Sequence, residues 1–184
     1  MDKHKILILG DSLVEHLFVT RADSVHVASE WGATAQDMRR EENEDGLGIS
    51  WLLDEDQYKI CVICAGFNDR YERLTSEISG DVLYLADKAR SHKTKPLVFI
   101  SEWPHNHVAP FIDVGYEKRH LIIPKPLNMP GDAFQFDHVH LSKNGRRAWQ
   151  RHISHVLTIA WYLQRFMNVS RNAKPMNLIV QYAI

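Results

Sequence analysis

The chain has 184 residues, 45% of them hydrophobic and 24% charged, which suits a single globular domain with a sizeable core. Its 22 Lys and Arg against 23 Asp and Glu leave a net charge of -1, so the whole molecule has no strong pull toward nucleic acid. No apolar run approaches the roughly 20 residues of a membrane-spanning helix, and the run over 6–9 is too short for the apolar part of a secretory signal, so the expected location is the cytoplasm.

In chain order, the first element is an apolar strand over 5–9, which delivers the chain directly into Gly10-Asp11-Ser12-Leu13. A second strand over 24–28 leads to Trp31-Gly32-Ala33-Thr34. The third, over 59–65, holds Cys61 and Cys64 and runs into Gly66-Phe67-Asn68-Asp69. An odd separation along a strand sends the two cysteines to opposite faces, with alpha carbons about 10 Å apart, beyond disulfide reach. Both are read as buried thiols.

Over 75–92, Ile78, Val82, Leu85, Ala86 and Ala89 recur at helical spacing. A fourth strand over 96–101 ends at Glu102-Trp103-Pro104-His105-Asn106-His107. The stretch 104–136 is rich in Pro, Gly and His and reads as a long loop, with at most one turn near 115–119; a weak strand lies over 120–123. The last connection carries Asp137-His138-Val139-His140-Leu141. Ser142 then caps a helix to about residue 166, with Trp149, Ile153, Val156, Leu157, Ala160, Trp161 and Leu163 on its apolar face. Gly145 in its first turn costs some helix propensity. The expected organisation is one domain over 1–166 and a tail over 167–184, whose strand-like residues 177–182 suit a sheet edge or a second copy of the chain.

Strands alternating with helices argue for an α/β protein with a central, mainly parallel sheet of four to five strands, because parallel neighbours need crossover connections. From Leu141 onward there are seven Lys or Arg and no acid, leaving 15 basic against 23 acidic residues in the first 140. A solvated helix face accounts for this; contact with an anionic partner is the alternative.

In such sheets ligands bind outside the carboxyl ends of the strands. Those ends here supply a hydroxyl, two glycines, a carboxamide, and an acid three residues before a histidine. Acyl transfer needs that inventory: a nucleophile, a base, a group that orients the base, and donors for an oxyanion. Singly, each residue has a plainer role. Ser12 suits a helix cap, Asn68 a turn, His140 the surface, and Gly32 any tight corner.

Four segments together resemble the SGNH (GDSL) hydrolases, in the family's order: Gly10-Asp11-Ser12-Leu13, then Gly32, then Gly66-Phe67-Asn68-Asp69, then Asp137-His138-Val139-His140. The resemblance implies a three-layer α/β/α flavodoxin-like fold. It implies Ser12 as nucleophile, His140 as general base and Asp137 as the group that orients His140. Ser12, Gly32 and Asn68 would form the oxyanion hole. Relatives usually carry a further helix between the fourth strand and the last block, where this chain has the 104–136 loop. Asp11, Trp103 and His105 are expected to contact substrate.

The expected activity is that of a serine esterase working through an acyl-enzyme, on short acyl groups such as O-acetyl on carbohydrate. Within the same family, a lysophospholipase or thioesterase is the alternative, and a non-catalytic binding module is the rival outside enzymology. The pairs His105/His107 and His138/His140 could chelate a metal in extended chain, but no His-Glu-x-x-His or cysteine-based pattern accompanies them. The reading therefore calls for no metal and no cofactor. Its partners are a small-molecule or carbohydrate ester and, through the tail, a second copy of the chain.

Overall fold

The computed structural model describes residues 5–15, 25–45, 48–105 and 121–169. Five strands form one sheet: β1 (Lys5–Asp11), β2 (Val25–Glu30), β3 (Tyr58–Cys64), β4 (Leu97–Ser101) and β5 (Leu121–Ile123). Their spatial order is β2-β1-β3-β4-β5, and every pairing is parallel. The described part of the weakly patterned run at 120–123, Leu121–Ile123, is thus a full member of the sheet, with Phe99 opposite Leu121 and Ser101 opposite Ile123.

The central strands are apolar on both faces because both are covered. Along β3, Ile60, Cys61, Val62, Ile63 and Cys64 are all buried, so successive side chains enter opposite layers. The two cysteines are free thiols, and burial pushes Cys61 up to about 12. Each fully buried Leu or Ile contributes on the order of 1.5–3 kcal/mol relative to exposure.

The helices are α1 (Ala35–Arg40), α2 (Ile49–Glu55), α3 (Thr75–Ser91) and α4 (Lys143–Val169), with a π-turn over Glu41–Asp45 and a 3-10 turn over Asn68–Tyr71. Helix α3 starts where the periodicity places it and buries all five expected positions. Helix α4 begins at Ser142, whose Oγ accepts the Gly145 amide at 3.1 Å, and its Trp149, Ile153, Val156 and Leu157 enter the core. The short helices α1 and α2 lie in a stretch where no helical pattern stands out, since each buries only two apolar residues. The sheet is the middle of three layers, with α1, α2 and α3 packed together on one side.

Residues 106–120 and the tail from 170 lie outside the described residues, and with them His107, the turn at 115–119 and the strand at 177–182. Among the described residues, no helix is long and apolar enough to cross a membrane.

One ionic network clamps the layer formed by α1 and α3. Arg73 donates to Asp69 at 2.8 Å and to Asp81 at 2.6 Å, and Asp81 also accepts from Arg39 at 2.7 Å. Both carboxylates are buried whereas Arg39 is half exposed. The two ends of the network are therefore unequal. Arg73→Met takes the cation from buried Asp69 and leaves buried Asp81 with Arg39 alone, and should cost about 3–5 kcal/mol in urea denaturation. Asp81→Asn leaves arginines that can turn to water and should cost less, about 1–3 kcal/mol. The reverse ranking would show that Asp81 rather than Arg73 is the keystone.

Candidate active site

The strand order reverses at β1, which has β2 on one side and β3 on the other. Ligands bind at this switch point in doubly wound sheets. The chain segments that leave β1, β2 and β3 meet there.

Asp11 ends β1 fully buried, and its carboxylate accepts the Leu13 amide at 3.0 Å and the Phe67 amide at 3.3 Å. That pair of bonds fixes the turn holding Ser12 against the exit of β3. Burial, opposed by those amides, pushes the Asp11 carboxyl up to about 6. Asp11 is a structural tie and is closed to substrate contact.

After β2, Gly32 takes φ +74, a left-handed conformation that glycine adopts without strain. Thr34 then caps α1: its Oγ1 accepts the Asp37 amide at 3.0 Å while Asp37 accepts the Thr34 amide at 3.0 Å. After β3, Gly66 takes φ +94, and a Cβ there would lie 2.4 Å from Ile78. Two bonds join these loops. Asn68 Nδ2 donates to the Ala33 carbonyl at 2.9 Å, and the Ala35 amide donates to Asp69 at 2.7 Å. Gly32 and Asn68 are thus held side by side.

The last segment is a small hairpin closed by the Phe134–Leu141 bridge and by the Gln135 amide on the His140 carbonyl at 2.8 Å. At its tip His138 takes φ +55, which lets Asp137 Oδ1 accept the Val139 and His140 amides at 2.9 and 3.0 Å. Asp137 Oδ2 lies 2.6 Å from His140 Nδ1. The His140 side chain first, and then these two amides, pull the Asp137 carboxyl down to about 2. An ionised carboxylate only accepts, so His140 Nδ1 carries the proton and Nε2 is left as the basic nitrogen.

Ser12 and His140 line one cavity of about 170 Å³. Leu13 and Leu141 give it apolar wall, and Glu15, Trp31, Gln135 and Arg146 complete its lining. Trp31 stacks on His140 at 6.0 Å between ring centroids and donates its indole N–H to Glu15. No sequence pattern singles out Glu15 or Gln135, and Arg146 stands there only as one of the seven basic residues from Leu141 onward. Trp31 carries a signal of its own, as an aromatic directly before the glycine of a strand-end turn. Gly32 and Asn68 stand beside the cavity without lining it.

Trp103 and His105 are not brought to this cavity. Trp103 is 3% exposed, meets Phe67 edge-on and donates to the Ala65 carbonyl at 3.0 Å. His105 is buried against Phe67, with centroids 4.1 Å apart, and its Nε2 lies 2.9 Å from the Val139 carbonyl. It therefore braces the Asp137–His140 hairpin from behind. An indole or imidazole two or four residues past a buried strand can turn inward when a backbone carbonyl meets its N–H, as happens at Trp103 and His105.

Family models and the sequences of characterised proteins give no match. Solved structures do. Esterase EstA from Pseudoalteromonas sp. superposes with a TM-score of 0.65 at 18% identity, covering 88% of this chain and 99% of its own. A proposed SGNH hydrolase from Slackia heliotrinireducens gives 0.66 at 15%, over 85% and 100%. The family 3 carbohydrate esterase of Clostridium thermocellum gives 0.64 at 15%, over 87% and 98%. The class is thus a doubly wound, three-layer α/β/α protein with a cavity at its switch point. Within that class, the chain has the fold of the SGNH hydrolases.

Asp11 makes a pH prediction. Its folded carboxyl titrates near 6 against 3.8 when unfolded, so the folded state binds the extra proton between those values. Stability should fall as pH rises from about 4 to about 6, by up to about 3 kcal/mol from this group. Urea midpoints across that window check it, and Asp11→Asn should lose this part of the slope. Asp137 works in the opposite sense, its contribution being present above about pH 4 and lost toward pH 2.

Proposed function

We propose that the protein is a serine esterase that forms an acyl-enzyme on Ser12. The observation that carries this reading is that Ser12 and His140 line one cavity while Asp137 holds the far nitrogen of the His140 ring. His140 Nε2 takes the proton as Ser12 Oγ attacks the ester carbonyl, then gives it to the departing alcohol. Water, deprotonated by the same nitrogen, releases the acid and restores Ser12. Asp137 keeps the proton on Nδ1 and stabilises the imidazolium between these transfers.

The carbonyl oxygen gains charge as it becomes tetrahedral, and donors already in place lower that barrier most. The Ser12 and Gly32 amides and Asn68 take this role. Asn68 spends one amide hydrogen on the Ala33 carbonyl, which orients the group and leaves its second hydrogen for the oxyanion.

Short acyl groups, such as O-acetyl on carbohydrate, are the favoured substrates. The likeness to a carbohydrate esterase supports the choice.

Two experiments test the reading. Ser12→Ala should abolish hydrolysis of p-nitrophenyl acetate and covalent labelling by a phosphonate ester, and Asn68→Ala should lower kcat by about 10²–10³. Equal rates for wild type and Ser12→Ala would end the esterase reading. In a p-nitrophenyl ester series, kcat/KM should be highest at acetate or propionate; a maximum at octanoate or longer would move the protein to the lipid-directed alternative.

A further inference from the structure

The cavity contains two charged groups that the reaction does not use, Glu15 and Arg146. Arg146, at the start of α4, lines the same cavity as Ser12 and His140. Its backbone amide is tied to the Ser142 carbonyl at 2.9 Å, so the helix start sets its position. Its guanidinium has no carboxylate partner among the described residues. The acid that shares the cavity, Glu15, is held by the Trp31 indole. Elsewhere Arg39 and Arg73 are engaged on Asp81, and Arg70 on the Phe67 carbonyl. A planar fork of N–H donors facing a cavity is suited to a planar anion.

We propose that Arg146 makes the cavity a binding site for esters whose alcohol carries a carboxylate, such as an acetylated acidic sugar. The proposal rests on the esterase reading and names its substrate class. The alcohol side follows from the proton path, because the departing oxygen must receive its proton from His140 and so leaves over that ring. Arg146 lines the cavity together with Gln135 and Leu141 of the hairpin that carries His140, where the Gln135 side chain donates to the Leu141 carbonyl at 3.2 Å. Trp31 supplies the complementary surface. It is 72% exposed while stacked beside His140, so it presents open aromatic area next to where the alcohol departs. A ring with an apolar face and a carboxylate would lie on Trp31 and reach Arg146 together.

The test compares 4-acetoxybenzoate with its neutral analogue 4-acetoxybenzamide as a ratio of kcat/KM, in which any loss of folded enzyme cancels. Wild type should favour the anion. Arg146→Gln should lower the ratio by about 10- to 100-fold, the range for one charge-assisted hydrogen-bonded pair. Arg146→Lys, which keeps the charge without the fork, should fall between them, and Arg146→Glu should invert the preference. Raising salt should shrink the wild-type ratio. A ratio that moves less than about twofold in Arg146→Gln, well under that expected for a charged contact, would overturn the proposal while leaving the esterase reading intact. Absence of Ser12-dependent turnover of either compound and of p-nitrophenyl acetate would remove the esterase reading and the proposal with it.

Discussion

The parallel pairing of β1 with β3 is the constraint on which the molecule depends. Both strands are buried on both faces, from Leu7 opposite Cys61 to Gly10 opposite Cys64. Parallel neighbours cannot be joined by a tight turn, so each connection must cross over and return, as α3 does between β3 and β4. The carboxyl ends of the strands are then forced to one edge of the sheet. Everything that the chain places directly after a strand arrives there, whatever its separation in sequence. Asp11 converts that general alignment into a particular geometry, because its carboxylate reaches from the end of β1 to the amide after β3.

The site is built from two kinds of contact. Some are local and owe little to the rest of the protein. Asp137 folds its own hairpin tip through the Val139 and His140 amides and orients the imidazole three residues on. Others exist only because the sheet brings distant loops together. Asn68 on the Ala33 carbonyl, Asp69 on the Ala35 amide and His105 on the Val139 carbonyl each join segments that share no sequence neighbourhood. The local contacts set the shape of each piece, and the distant ones set the spacing between pieces. Catalysis of the proposed kind needs both, since a misplacement of about 1 Å in a reacting group can cost about 10²-fold in rate.

Strands and long helices were readable because burial on both faces and helical burial leave different spacings, as in β3 and α3. Even the short run that became β5 held enough β-branched residues to show. Helices α1 and α2 did not, because six or seven residues with two buried positions carry no period. Trp103 and His105 were misplaced for another reason. Following a strand, an aromatic residue can point to the mouth or back into the core, and the choice depends on whether Ala65 and Val139 offer carbonyls to the ring nitrogens. Trp31 shows the opposite outcome from a similar position, standing exposed beside His140.

The amino-acid order by itself determined the element types, the parallel class of the sheet and the segments that would stand at its active edge, since each follows from spacing along a few residues. It also contained the Asp137 to His140 relation, which spans three residues. Tertiary structure alone decided which side chains share the cavity. Arg146 and Trp31 lie in different elements, and the angle at which α4 packs on the sheet determines whether a guanidinium on its first turn meets water or the mouth beside Ser12. That angle is set by Trp149, Ile153, Val156 and Leu157 fitting the core. It is a property of the packed whole, and no short stretch of the chain encodes it.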